Sequence, residues 1–546
     1  MAAHARQFNW YNFWICWLVS LGQVAFGYPA SIISTTLGEP SFLVYMKLLN
    51  PVTGLPAGDA DSLEGAMSGV FQAGAFFGIM IVSYIMDKWG RKAGVIFCSF
   101  WSLLGGALIC GSKSSAMFIA ARFFAGMGSW GYLAVTPAYS AELAPPALRG
   151  FFVGLNGVNI AVGYSLAAYT GMGFFYVKEP QAQWRGPLGI ALFFPLVMLA
   201  MLPFIPESPR YLLMKGREAE AEKIVLRLHA IPGDEDQEFA RGEFYQMRKQ
   251  AEFDRTLSVS WWDMFFKKSY RKRTILAMGF AFVGQSTGVL VINNYGPTLY
   301  KSLGYGTEDQ LRLQCGWITT AIIGNAIGAT FMDRVGRKPL MLFGVGGCCF
   351  WLIIEAAIVA NFAGTDNTSG LAMGVAALFL FEVVYSCGVD VAGIVFYSEL
   401  FPNHLRAKGV CLSMAVVALT DLVYLQVTAT AFANIGWKFY LVSSDPILDL
   451  FSTPPLVFII ICGLGTITMY FLLPETKGVP LEEVAKLFGD TETIMVYAAD
   501  IHMDHNTHEL VVSGRDGITH PATVVETPKG AAVSEKSDEA RHTEEV

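Results

Sequence analysis

Charged residues are scarce in this chain, at 15% of 546 positions against 53% hydrophobic, whereas a soluble domain carries near a quarter. That shortage excludes an ordinary water-soluble globule and points to lipid as the solvent. A concentrated basic face is missing too, which argues against a nucleic-acid partner. The nine cysteines lie inside or at the edges of apolar segments. None has the paired spacing of a zinc or redox site, so they read as packing residues. With no nucleophile–base pair, metal cluster or phosphate loop in view, the chain is expected to be no enzyme and to use no cofactor. No cleavable signal peptide is visible, because the first apolar stretch, from about Phe13 to Ile33, is too long for a signal core. It reads as a retained span. The net charge of −7 owes much to the acidic stretch from Asp490 to Val546.

What the sequence does have is long apolar runs. Crossing a hydrocarbon core of about 30 Å takes about 20 helical residues. Runs of that scale begin near Phe13, Ala66, Gly94, Met117, Phe151 and Gly186, and again near Ile275, Trp317, Leu340, Leu371, Val410 and Leu456. The expectation is an all-α membrane protein of twelve transmembrane helices in two six-helix halves. A short N-terminus (1–12) leads into the first half (13–205), a polar linker (206–273), the second half (274–473) and a largely disordered tail (474–546). Lys88, Arg91 and Lys92, the run Lys267 to Arg273, and Arg334, Arg337 and Lys338 all fall in loops on one side, which places both termini in the cytoplasm. A glycosylation sequon, Asn367-Thr368-Ser369, falls on the other side.

The halves repeat each other. Asp87-Lys88-Trp89-Gly90-Arg91-Lys92 recurs as Asp333-Arg334-Val335-Gly336-Arg337-Lys338, and Glu142-Leu143 with Pro145, Leu148 and Arg149 recurs as Glu399-Leu400 with Pro402, Leu405 and Arg406. Pro206-Glu207-Ser208-Pro209-Arg210 is echoed by Pro474-Glu475-Thr476-Lys477. Three paired motifs in one order mean a duplicated six-helix unit, which places a cavity between the halves near the midplane, with access alternating between sides. Asp87, Arg91, Glu142, Arg149, Asp333, Arg337, Glu399 and Arg406 are therefore candidate gating residues. Their ion pairs would hold the cytoplasmic side shut and break when it opens.

Together with Arg122-x-x-x-Gly126-x-Gly128, Pro137-x-Tyr139-x-x-Glu142-x-Ala144-Pro145 and Arg149-Gly150, these motifs resemble the sugar porter family of the major facilitator superfamily, over roughly Phe13 to Glu483. The resemblance implies the major facilitator fold, a plasma-membrane location, and a sugar, polyol or related solute bound by polar side chains between the halves. Where many hexose carriers have two successive Gln in span seven, this chain has Gly284-Gln285, with Leu290 in place of a later Asn. The Gln expected in span five falls on Gly157, flanked by Asn156 and Asn159, and a usual span-ten Trp has no counterpart near Ile394. Proton-linked members carry Asp after Gly-Tyr in span one, paired with the span-four Arg. Here Gly27-Tyr28 is followed by Pro29, while Arg122 remains.

Helical rise sets depth: from the basic markers, Gln285 lies about 18 Å in, Asn159 about 15 Å, Asp390 and Arg122 about 14 Å and Asp421 about 20 Å. Polar side chains so deep face a cavity, a partner or each other. Candidate solute contacts are thus Gln285, Asn156, Asn159, Asn293 and Asn294, with Asp390, Asp421 and Arg122 as candidates for proton coupling. Glu355 and Glu382 fall nearer the outer surface. Asn293-Asn294-Tyr295-Gly296-Pro297 is expected to break span seven at the outer mouth, and Ser443 to Val457 reads as an insertion before span twelve. The expected partners are membrane lipid, a sugar-like solute and, as a candidate co-substrate, protons. Facilitated diffusion is the favoured mode over proton symport, with a non-transporting nutrient receptor and a metabolite exporter as alternatives.

Overall fold

The structure, a computed structural model, describes residues 8–50, 58, 60–231, 234, 237–257, 260–302, 305–362, 367–435, 454–481, 483–489, 496–497, 500–504, 509–513 and 519–521. Ten helices within them are long and apolar enough to cross a membrane. Two further helices complete the set: Ser115–Leu143, which carries Arg122 and Glu142, and Pro454–Leu472. The twelve spans are Trp10–Gly38, Ala60–Trp89, Arg91–Cys110, Ser115–Leu143, Arg149–Phe175 and Pro180–Phe204, then Lys268–Ser302 in two pieces, Thr307–Val335, Arg337–Phe362, Thr368–Leu400 with an internal turn, Asn403–Ile435 and Pro454–Leu472. All twelve apolar runs of the sequence are helices. Most of the Ser443–Val457 segment lies outside the described residues.

Burial follows the position of each span. Span four is buried on every side from Ala125 to Leu143, as a helix inside a bundle must be. Spans three, nine and twelve lie at the periphery and expose Phe100, Phe343, Phe350, Leu464 and Phe471, an apolar outer surface. Small residues let the inner helices touch backbone to backbone. A Cβ on Gly126 would collide with the Phe71 carbonyl, and one on Gly74 with the Phe123 carbonyl, so spans two and four cross at van der Waals contact of their main chains.

Between the halves, short helices Pro209–Met214, Glu218–Leu228 and Glu238–Asp254 form a cluster around Leu212, Val225 and Met247. In the tail, strands Ile501–Asp504, Glu509–Ser513 and Thr519–Pro521 pair antiparallel in that order. The sequence reading expected no regular structure there, since each strand is too short to show a period.

Span seven breaks at Ser286, Thr287 and Gly288, directly after Gln285, rather than at Gly296-Pro297. Gly288 has φ +82, a conformation that L side chains rarely adopt. The helix Val289–Ser302 runs straight through Pro297. Proline at that point strips the Asn293 carbonyl of its helical donor, and the Gln314 side chain of span eight donates to that carbonyl at 3.0 Å instead. The break is repaired from outside.

Candidate functional site

The duplicated motifs build duplicate structures. Gly90 and Gly336 both have positive φ, +95 and +106, and each ends one span and starts the next. In the first half, the Arg91 and Lys92 amides donate to Glu207 at 3.1 and 3.3 Å. In the second, the Arg337 and Lys338 amides donate to Glu475, both at 3.0 Å. A carboxylate thus caps a helix N-terminus in each half, where its charge meets the positive end of the dipole. Beside these caps, Arg91 pairs with Glu142 at 2.7 Å, and Arg337 clasps Glu399 through two nitrogens at 2.7 and 3.0 Å. The Ser208 hydroxyl donates to Glu142, and the equivalent Thr476 hydroxyl donates to Glu399 at 2.8 Å.

These four Arg and Glu residues pair within their own half. The links that cross from one half to the other are different. Asp333, held by Arg337 at 3.0 Å, accepts from the Gly150 and Phe151 amides at 3.1 and 2.8 Å, at the start of span five. Gly150 is required there, because a Cβ would collide with the Asp333 carboxylate. Arg406 reaches Glu142 at 3.6 Å, and Arg149 donates to the Val479 carbonyl at 3.1 Å. Asp87 faces a small recess beside Arg91, Arg210 and His404. The sequence pattern identified the cluster; it did not reveal that backbone amides close it.

A cavity lies between the halves, lined from spans one, two, four, five, seven, eight, ten and eleven. Gln285, Asn293, Asn294, Asp390 and Asp421 all line it. Asn293 also accepts from the Ser31 hydroxyl of span one at 3.4 Å. Asn156 and Asn159 do not line it. The Asn159 amide donates to the Ser20 hydroxyl at 2.7 Å and the Leu155 carbonyl at 3.2 Å, while Asn156 donates to Ser140 at 3.2 Å and to the Val153 carbonyl at 2.8 Å. Both amides tie helices together, because span five turns this face toward spans one and four. Span five presents Ile160, Ala161 and Tyr164 to the cavity instead.

Three positions where the resemblance expected polar or aromatic side chains do line the cavity, yet they hold Gly284, Leu290 and Ile394. The aromatic surface comes from Phe26, Trp130, Tyr164, Trp317, Tyr385 and Tyr397. Glu382, which the sequence reading left out of the solute and proton candidates, also lines the cavity wall. A π-helical turn at Ser386–Asp390 lies between Glu382 and Val391 of the same span, the kind of turn found often at functional sites. An acid in an apolar run was the signal available for Glu382.

Arg122 is 2% exposed. Its Nε donates to the Met67 carbonyl at 3.0 Å and a terminal nitrogen to the Pro29 carbonyl at 3.1 Å, and its guanidinium lies 4.1 Å from the Phe71 ring centre. Among the described residues, no carboxylate lies within ion-pair distance of it. Backbone oxygens and a ring face replace the acid that the resemblance puts at position 29.

A family model described as "Sugar (and other) transporter" matches residues 15–488. The chain belongs to that family. It is a multi-pass membrane transporter of the major facilitator superfamily. Its relatives include the MFS-type transporter criB of Aspergillus cristatus, 29% identical over 480 residues that cover 87% of this chain and 93% of the relative. The high-affinity glucose transporter of Kluyveromyces lactis is 26% identical over 88% of this chain and 86% of its own. A probable quinate permease of Aspergillus flavus is 28% identical over 88% and 89%. The fold matches the proton:xylose symporter XylE bound to 6-bromo-6-deoxy-D-glucose with a TM-score of 0.75 at 21% identity, covering 88% of this chain and 99% of that one.

Proposed function

We propose that this member of the sugar transporter family carries a sugar-like solute through the plasma membrane by alternating access, with both termini in the cytoplasm and lipid around its peripheral spans. The observation that carries this reading is the cavity between the halves, where Gln285, Asn293 and Asn294 offer amides to hydroxyl groups beside an aromatic wall. Gln285 stands at the end of a helix piece, next to a glycine-bearing break. It can therefore follow the solute as the outer piece of span seven moves. The Asp333 bridge and its neighbours act as the cytoplasmic gate. Relatives that act on glucose and quinate support a hydroxylated solute.

The favoured mode is facilitated diffusion, because Arg122 is held by the Met67 and Pro29 carbonyls and lacks the titrating partner of proton-linked members. Coupling through Asp390 or Asp421 is the competing mode. The deciding experiment is uptake of labelled sugars, polyols and sugar acids by cells lacking their own carriers, with and without a proton gradient. Equilibration that ignores the gradient supports diffusion, and protonophore-sensitive accumulation overturns it. Gln285→Ala should weaken uptake by about tenfold or more, the worth of one or two hydrogen bonds to solute, with normal membrane expression. Unchanged uptake removes Gln285 from the solute site.

A further inference from the structure

The cavity wall is acidic and rich in acceptors. Glu382, Asp390 and Asp421 all line it, whereas among the described residues no Lys, Arg or His does. Asp421 is 1% exposed, and neither of its carboxylate oxygens has a hydrogen-bond partner. Glu382 leaves Oε2 unpartnered and Gln72 leaves Oε1 unpartnered. Among the fully buried polar atoms of the described wall residues, the Trp130 indole Nε1 is the unpartnered donor.

Buried groups of this kind are expensive unless something supplies what they lack, and at Asp421 what is lacking is a donor and a positive charge. A neutral polyol brings an acceptor with every hydroxyl it donates. An anionic solute adds repulsion. A protonated amine brings three donors, a positive charge and no acceptor. The same wall presents the rings of Phe26, Trp130, Tyr164, Trp317, Tyr385 and Tyr397, and aromatic faces attract an ammonium group desolvated against them.

We propose that Asp421 marks a cation subsite and that the solute of this carrier is a sugar-like compound bearing a protonated amino group, its ammonium held at Asp421 and its hydroxyls at Gln285 and Asn294. This inference rests on the reading above, that the cavity is the solute site. The same three carboxylates should disfavour quinate-like acids in the cavity.

Glucosamine, glucose and quinate serve as probes, each labelled, with the purified full chain in proteoliposomes at neutral pH. Glucosamine uptake is expected to exceed glucose uptake by about tenfold or more, the worth of a charge-assisted hydrogen bond, and quinate uptake to be the weakest. Asp421→Asn should collapse the glucosamine-to-glucose ratio toward one, and Asp421→Glu should restore much of it. A ratio near one in the unmutated protein, or a ratio unmoved by Asp421→Asn, overturns the proposal. Glucose accumulation driven by a proton gradient and lost in Asp421→Asn also overturns it, by making Asp421 a proton site. A thermal shift of the detergent-solubilised protein gives a readout independent of transport. Stabilisation by glucosamine that Asp421→Asn removes upholds the cation subsite even if no probe is transported, in which case the carrier reading alone falls. No stabilisation and no uptake sinks both.

Discussion

Asp333→Asn is the most searching perturbation of the proposed cytoplasmic gate. The carboxylate bridges the halves by accepting from the Gly150 and Phe151 amides at 3.1 and 2.8 Å, at the positive end of span five, while Arg337 holds it from its own half at 3.0 Å. An amide of the same shape keeps one acceptor, turns an NH₂ group toward an N–H, and removes the charge. One charge-assisted hydrogen bond is worth about 1.5–3 kcal/mol, and the lost helix-dipole contact adds about 0.3–1 kcal/mol. The closed cytoplasmic state should therefore lose roughly 2–4 kcal/mol relative to the open one, a shift of about thirtyfold to several hundredfold in their ratio. Spin labels on the cytoplasmic ends of spans two and eleven, read by pulsed electron resonance, would report the distance distribution directly. The substitution should move weight to the longer distance and slow net uptake. A distribution identical to that of the unmutated protein would refute the bridging role, because the lost contacts exist only when the two halves meet.

Pro29→Asp places a carboxylate beside Arg122, whose present partners are the Met67 and Pro29 carbonyls. Uptake should then become sensitive to an imposed pH gradient, and uptake as indifferent to pH as before would disprove the role assigned to position 29. Glu39, just beyond the C-terminal end of span one, is buried with both carboxylate oxygens unpartnered, and burial pushes its pKa from 4.5 up to about 7. The folded state therefore binds the proton more tightly than the unfolded chain, so this group's contribution to stability is full below pH about 4.5 and is lost as pH rises toward about 7. Glu39→Gln should flatten the pH dependence of the melting temperature across that window, and an unchanged slope would show that another group sets it.

Most of the fold was legible because a bilayer permits few solutions. Each apolar run had to be a helix, and the paired motifs around Gly90 and Gly336 fixed the duplication. The cluster of charged residues at the proposed gate was legible as a set, yet its bonds across the halves were not, since the Gly150 and Phe151 amides carry no side-chain signal. Depth alone could not tell Asn159 from Gln285. Both lie near the midplane, and only the rotation of each helix decides that one meets Ser20 and the other the cavity. Pro297 misled for a related reason, because its orphaned carbonyl partner is repaired by Gln314, a residue on another span.

The central claim, that a solute is carried through the cavity between the halves, meets its most direct test in counterflow. Proteoliposomes preloaded with unlabelled solute from the uptake panel are diluted into a trace of the same solute labelled, and internal label is followed over time. Alternating access predicts a transient rise of label above its equilibrium level, reduced in Gln285→Ala and slowed in Asp333→Asn. A monotonic approach to equilibrium with every member of the panel, or no entry of label at all, would contradict it.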